Sequence, residues 1–158
     1  MDFFCLRGYG WPMKIAIGCD HAGYLLKLDL LGYLKKRGIE VFDHGCSSLD
    51  SVDYPDYAVL VGKAIQEKKA DLGILICGTG IGMAMTANKL SGIRAASLTD
   101  VFSTEMTRRH NDLNILCLGA RVVGPGLAER LVDAFLDTNF EAGRHVERLK
   151  KMTEIESK

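Results

Sequence analysis

The chain has 158 residues, 47% apolar and 25% charged, which suits one soluble domain with its own core and falls short of two full ones. Twenty basic and twenty acidic side chains cancel, so a general nucleic-acid binder with a basic excess is disfavoured and any anion site has to be built locally. Five cysteines with no CxxC pair argue against a disulfide framework and for a reducing cytoplasm, and no apolar run approaches the ~18 residues a membrane span needs.

Residues 1–12 (MDFFCLRGYGWP) lack the features of a signal peptide and are expected to form a tail ahead of a domain at 13–158. Residues 14–18 (KIAIG) read as a first strand. Cys19-Asp20-His21-Ala22-Gly23 follows, then a helical stretch to residue 37 in which Leu25, Leu28, Leu31 and Leu34 recur near helical spacing before Gly38 stops it. Residues 39–42 (IEVF) form a second strand and 44–55 a polar loop, with Pro55 opening a helix that ends near residue 69. Residues 72–77 (LGILIC) are the most apolar strand, as the centre of a parallel sheet covered on both faces requires. A glycine loop at 78–82 leads into a helix to residue 89. A fourth strand at 93–98, a helix to His110 and a fifth strand at 115–118 (ILCL) follow. Helices at 125–136 and 144–155 finish the chain. This alternation implies a parallel sheet with right-handed crossovers, whose site lies beyond the carboxyl ends of the strands.

That rule selects 19–23, 77–82, 99–100 and 119–121. Gly78, Gly80 and Gly82 alternate at a strand-to-helix turn, where amide groups can converge on an anion; a plain tight turn is the alternative. Their spacing is neither a dinucleotide fingerprint nor a P-loop. Cys77, at the strand end facing a helix N-terminus, could attack a carbonyl or take a proton α to one, or it could be a small core residue, as Cys117 is expected to be. His110-Asn111 offers an acid/base or a structural pair. Asp20-His21 offers site chemistry or a cap for the next helix. Arg144 and Arg148, four apart on one helix face, could hold a phosphate together with Arg121, or form a solvated face with Glu147. No His, Cys and Asp set has metal-ligand spacing, so no metal is expected.

In one register from 13 to 152, GCDHAG (18–23), DYPDYA (53–58), ICGTGIGMAMTANK (76–89), GIRAA (92–96), RRHNDLNIL (108–116) and AGRH (142–145) resemble the family of ribose-5-phosphate isomerase B, cofactor-free sugar-phosphate isomerases that include galactose-6-phosphate isomerase subunits. The resemblance implies a flavodoxin-like three-layer α/β sandwich with a five-stranded parallel sheet of order 2-1-3-4-5 and a C-terminal helix. It implies interconversion of ribose 5-phosphate and ribulose 5-phosphate through a cis-enediolate, with Cys77 as the base and no cofactor. A branch of the family uses a glutamate at the position of Met83 instead, so this chain falls in the cysteine branch. By the same carry-over, the backbone of Gly78, Gly80, Ile81 and Gly82 holds the oxyanion, and Thr79 moves protons between O1 and O2. His110 opens the furanose ring. Asp20, His21 and Asn111 contact the sugar, while Arg121, Arg144 and Arg148 bind phosphate. The implied site is shared between subunits of a homodimer or homotetramer, with His110 and Arg121 supplied by the partner chain. A hexose-6-phosphate isomerase and a non-catalytic flavodoxin-like phosphate or nucleotide binder are the competing expectations.

Overall fold

Apolar residues on both faces need cover on both faces, and that requirement places the strands. The computed structural model describes residues 12–156; of the expected tail only exposed Pro12 is placed, and 1–11 lie outside the described residues. β3 (Leu72–Cys77) is buried along its whole length and pairs in parallel with β1 (Lys14–Cys19) and β5 (Ile115–Gly119). β2 (Glu40–Asp43) flanks β1 and β4 (Ala95–Ser97) flanks β5, both also parallel.

The sheet order is therefore β2-β1-β3-β5-β4, and the expected 2-1-3-4-5 is corrected at its last two places. The architecture is otherwise the expected parallel α/β sandwich. β4 is a half-buried run of three small residues, whereas β5 is apolar and buried throughout. The inner slot beside β3 goes to the strand with more apolar surface to hide, and the short one takes the edge.

Right-handed crossovers then dictate the layers. α2 (Tyr54–Gln66) and α3 (Ile81–Ala87) pack on one face. α1 (Tyr24–Lys36), α4 (Val101–Asn111) and α5 (Pro125–Asp137) pack on the other. Strand alternation divides the core accordingly: Ile15, Ile17, Ile74, Ile76, Leu116 and Leu118 face the α1 and α5 side, while Ala16, Leu75, Cys77, Ile115 and Cys117 face the other. In α1 the buried leucines are Leu26, Leu30 and Leu34; of those expected from spacing, Leu34 is buried and Leu31 packs against the core, while Leu25 and Leu28 are exposed. α6 (His145–Glu156) reaches back so that Glu156 accepts from Ser91 Oγ and Gly92 N, both 2.9 Å. Among the described residues no helix is long and apolar enough to cross a membrane.

Candidate active site

β3 carries Cys77 to the carboxyl edge of the sheet, where its side chain is buried against the α3 layer. The loop that follows is wound around the sulfur. Gly80 adopts φ +76°, a conformation open to glycine at little cost, and its N–H donates to Cys77 Sγ at 3.1 Å. Negative charge that collects on this sulfur therefore meets an amide donor held in place before any reaction. Ser97 Oγ donates to the Thr79 carbonyl at 3.0 Å and pins the loop from the β4 side. The Tyr54 ring covers Gly82 so closely that a Cβ there would lie 2.7 Å from it. Thr79 itself is exposed, its Oγ1 accepting from Ile81 N at 3.4 Å.

Arg121 joins this cluster within the same chain. Its N–H donates to the Gly78 carbonyl at 3.0 Å, prolonging the β3–β5 ladder, and its guanidinium lies over the open face of Gly78. Asp20 and His21 enter from the end of β1. The buried Asp20 carboxylate accepts from Gly23 N at 3.1 Å, so it caps the short turn at His21–Gly23. His21 Nδ1 accepts from Val52 N at 3.2 Å, which leaves the proton of the neutral ring on Nε2 and fixes the ring against the 44–53 loop.

The remaining candidates gather elsewhere. α4 is capped by Asp100 Oδ1 at the carboxyl end of β4 and runs back along the sheet, its 11 residues covering about 16 Å. His110 and Asn111 therefore emerge near the amino ends of the strands, where Arg94 Nε donates to the Asn111 and Asp112 carbonyls. His145, at the start of α6, is buried and stacks on His110 with centroids 4.4 Å apart and planes 14° from parallel. Arg144 and Arg148 flank it, both exposed. Burial first, and then His110, Arg144 and Arg148, push the His145 imidazole below its ordinary range. His110, Glu141 and His145 each bring a ligand atom within 4.8 Å of the others, but the imidazoles lie face to face rather than turned towards a common point.

One chain thus presents two groups: Cys77, the 78–82 loop, Asp20, His21 and Arg121 at one end of the sheet, and His110, Asn111, Arg144 and Arg148 at the other. Arg121, expected from a partner chain, stands beside its own chain's Gly78. Sequence reasoning gave no role to Ser97, Tyr54 or His145. Tyr54 and His145 lay inside motifs already singled out, whereas Ser97 carried no local signal. Cys117 is the core thiol expected of it, and burial pushes its pKa up.

The ribose/galactose isomerase family profile matches residues 15–152. The chain is 47% identical over 145 residues to ribose-5-phosphate isomerase B of Escherichia coli, covering 92% of this chain and 97% of that one. Its structure matches ribose-5-phosphate isomerase B of Clostridium thermocellum with a TM-score of 0.91 at 51% identity, over 92% of this chain and 98% of that one. The enzyme of the same name from Mycoplasma genitalium, solved with bound ribulose-5-phosphate, matches with a TM-score of 0.88 at 40% identity, over 92% and 97%. With sequence and fold in agreement over nearly the whole chain, it belongs to the ribose/galactose isomerase family, as an aldose–ketose isomerase of sugar phosphates of the ribose-5-phosphate isomerase B type.

Proposed function

We propose that the chain interconverts ribose 5-phosphate and ribulose 5-phosphate through a cis-enediolate, with Cys77 moving the proton between C1 and C2. The observation that carries this reading is the buried sulfur with the Gly80 N–H aimed at it from 3.1 Å, at the start of a glycine-rich strand-to-helix loop. A proton α to a carbonyl is only weakly acidic, so the enediolate oxygen needs preorganised donors; the backbone of 78–82 supplies them. Exposed Thr79 relays protons between O1 and O2. Nε2–H of His21 donates to the sugar. His110 acts as acid and base in opening the furanose ring, with Asn111 holding the substrate beside it. Arg121, Arg144 and Arg148 bind the phosphate, and that binding energy, remote from the reacting carbons, orients the opened chain.

The separation of the two groups supports a shared site. A sugar phosphate cannot span the ~16 Å length of α4, so Cys77 of one copy works with His110, Asn111, Arg144 and Arg148 of another. We therefore assign a homodimer with two composite sites as the smallest active form. A turnover assay on ribose 5-phosphate, allose 6-phosphate and galactose 6-phosphate, run on chelator-treated protein, tests the reading. Ribose 5-phosphate is expected to give the highest kcat/KM; a preference for either hexose phosphate overturns the substrate assignment, and dependence on added metal overturns the mechanism.

A further inference from the structure

The turn that presents Asp20 and His21 also holds a pair of thiols with no part in the isomerisation. Cys19 ends β1, Cys46 lies in the loop after β2, and their buried sulfurs are 3.7 Å apart. Cys46 N donates to the Cys19 carbonyl at 3.1 Å, and His44 N to the Ile17 carbonyl at 2.8 Å, so the β1–β2 ladder continues past the strand ends. Neighbouring strands run ~4.8 Å apart, inside the range of backbone separations that disulfides bridge, so closure needs only a small shift of the loop. Gly45 keeps the space beside the sulfurs clear: a Cβ there would stand 2.9 Å from Cys19 Sγ. Buried Lys27 ties the segment down, donating to both Asp43 carboxylate oxygens and to the Cys46 carbonyl at 2.8–3.1 Å.

We propose that Cys19 and Cys46 form an oxidation site, a dithiol that a peroxide converts to an intramolecular disulfide and a small reducing thiol restores. Cys46 Sγ attacks one peroxide oxygen; the O–O bond breaks, leaving a sulfenic acid and water. Cys19 Sγ then attacks Cys46 Sγ, the S–S bond forms, the S–O bond breaks, and hydroxide leaves as water with the Cys19 proton. Two thiols lose two electrons and hydrogen peroxide becomes two molecules of water. Cys46 acts first because it is 5% exposed against 0% for Cys19. Burial together with the neighbouring Cys46 pushes the Cys19 thiol up to about 12, so little of it is thiolate near neutral pH and the resolving attack is slow.

Closing the sulfurs from 3.7 Å to a bond of about 2.05 Å draws the 44–53 loop towards β1. Val52 N, which holds His21 Nδ1 at 3.2 Å, belongs to that loop, and Asp20 is the next residue after Cys19. The disulfide therefore unseats His21 and weakens sugar-phosphate binding, a consequence that rests on the substrate-binding role proposed for His21.

The test is peptide mass mapping without reductant after hydrogen peroxide treatment, with the oxidation of Cys77 as an internal clock. In the wild type a Cys19–Cys46 linked peptide is expected, lighter than its parts by two hydrogens and cleaved by dithiothreitol. Cys46→Ser and Cys19→Ala each abolish it while keeping their turnover before oxidation. Free Cys19 and Cys46 in protein whose Cys77 is fully oxidised, or linkage of either to a different cysteine, overturns the proposal. Calorimetric binding of ribose 5-phosphate to Cys77→Ser protein then reads the consequence free of Cys77 chemistry. Oxidation is expected to weaken it by about two- to tenfold, the loss of one hydrogen bond to a sugar hydroxyl, and dithiothreitol to restore it. A linked peptide with unchanged binding refutes the coupling to His21. No binding before oxidation refutes the substrate assignment instead and leaves the mass result standing.

Discussion

Gly80→Ala strikes the loop where backbone geometry and chemistry meet. At φ +76° an alanine costs ~1–2 kcal/mol in backbone strain alone. Its Cβ would stand 2.6 Å from Ser97 Oγ and 3.0 Å from the Leu118 carbonyl carbon, and crowding against backbone adds ~1–3 kcal/mol. The expected destabilisation is therefore ~2–5 kcal/mol, which a domain of ordinary stability survives. Relief of the clash moves the Gly80 N–H away from Cys77 Sγ, and loss of a donor to the ionised sulfur, worth about 1.5–3 kcal/mol, lowers kcat by about 10–10²-fold. Gly92 is the control: its φ is +74° but a Cβ there meets nothing within 4 Å, so Gly92→Ala loses only the backbone share and keeps full turnover. Urea denaturation midpoints and kcat for both variants check this. If Gly80→Ala is no less stable than Gly92→Ala and turns over at the wild-type rate, the loop is not the cradle described.

Cys77→Ala and His110→Ala should each be inactive alone, yet co-expression should restore roughly a quarter of wild-type activity, since half the random dimers carry one intact composite site; no recovery would place each site within one chain. Arg144→Ala should raise KM at least ~10-fold with kcat nearly kept, because a phosphate contact binds ground and transition states alike; a fall in kcat at unchanged KM contradicts the assignment. For His145 the direction of the pH effect follows from its lowered pKa. His110, Arg144 and Arg148 lower it and Glu141 raises it, with burial the leading cause. The unfolded chain takes up the proton first, near the ordinary value of 6.5, so stability is unaffected above that pH and falls as pH drops through the lowered value. Denaturation midpoints should show this acid slope in the wild type and a flatter one in His145→Gln; parallel slopes would remove the charge argument.

Local signals were enough for much of this molecule. The apolar run 72–77, the glycines after it and the cysteine between them lie within eleven residues, and strand, turn and candidate base follow from neighbours along the chain. The exchange of β4 and β5 was not legible, because it turns on which strand wins cover from helices distant in sequence. Of the four leucines singled out in α1, Leu34 is buried and Leu31 packs against the core while Leu25 and Leu28 are exposed, because leucines fill both faces there, and only packing against β1 and α5 separates buried Leu26 from exposed Leu25. The pairing of Cys19 with Cys46, the stack of His145 on His110 and the seating of Ser97 under Thr79 join residues 18 to 35 apart. Spacing of that kind carries no periodic trace, so residue chemistry was legible along the chain while its grouping into two distant half-sites was decided by the way the helices run back across the sheet.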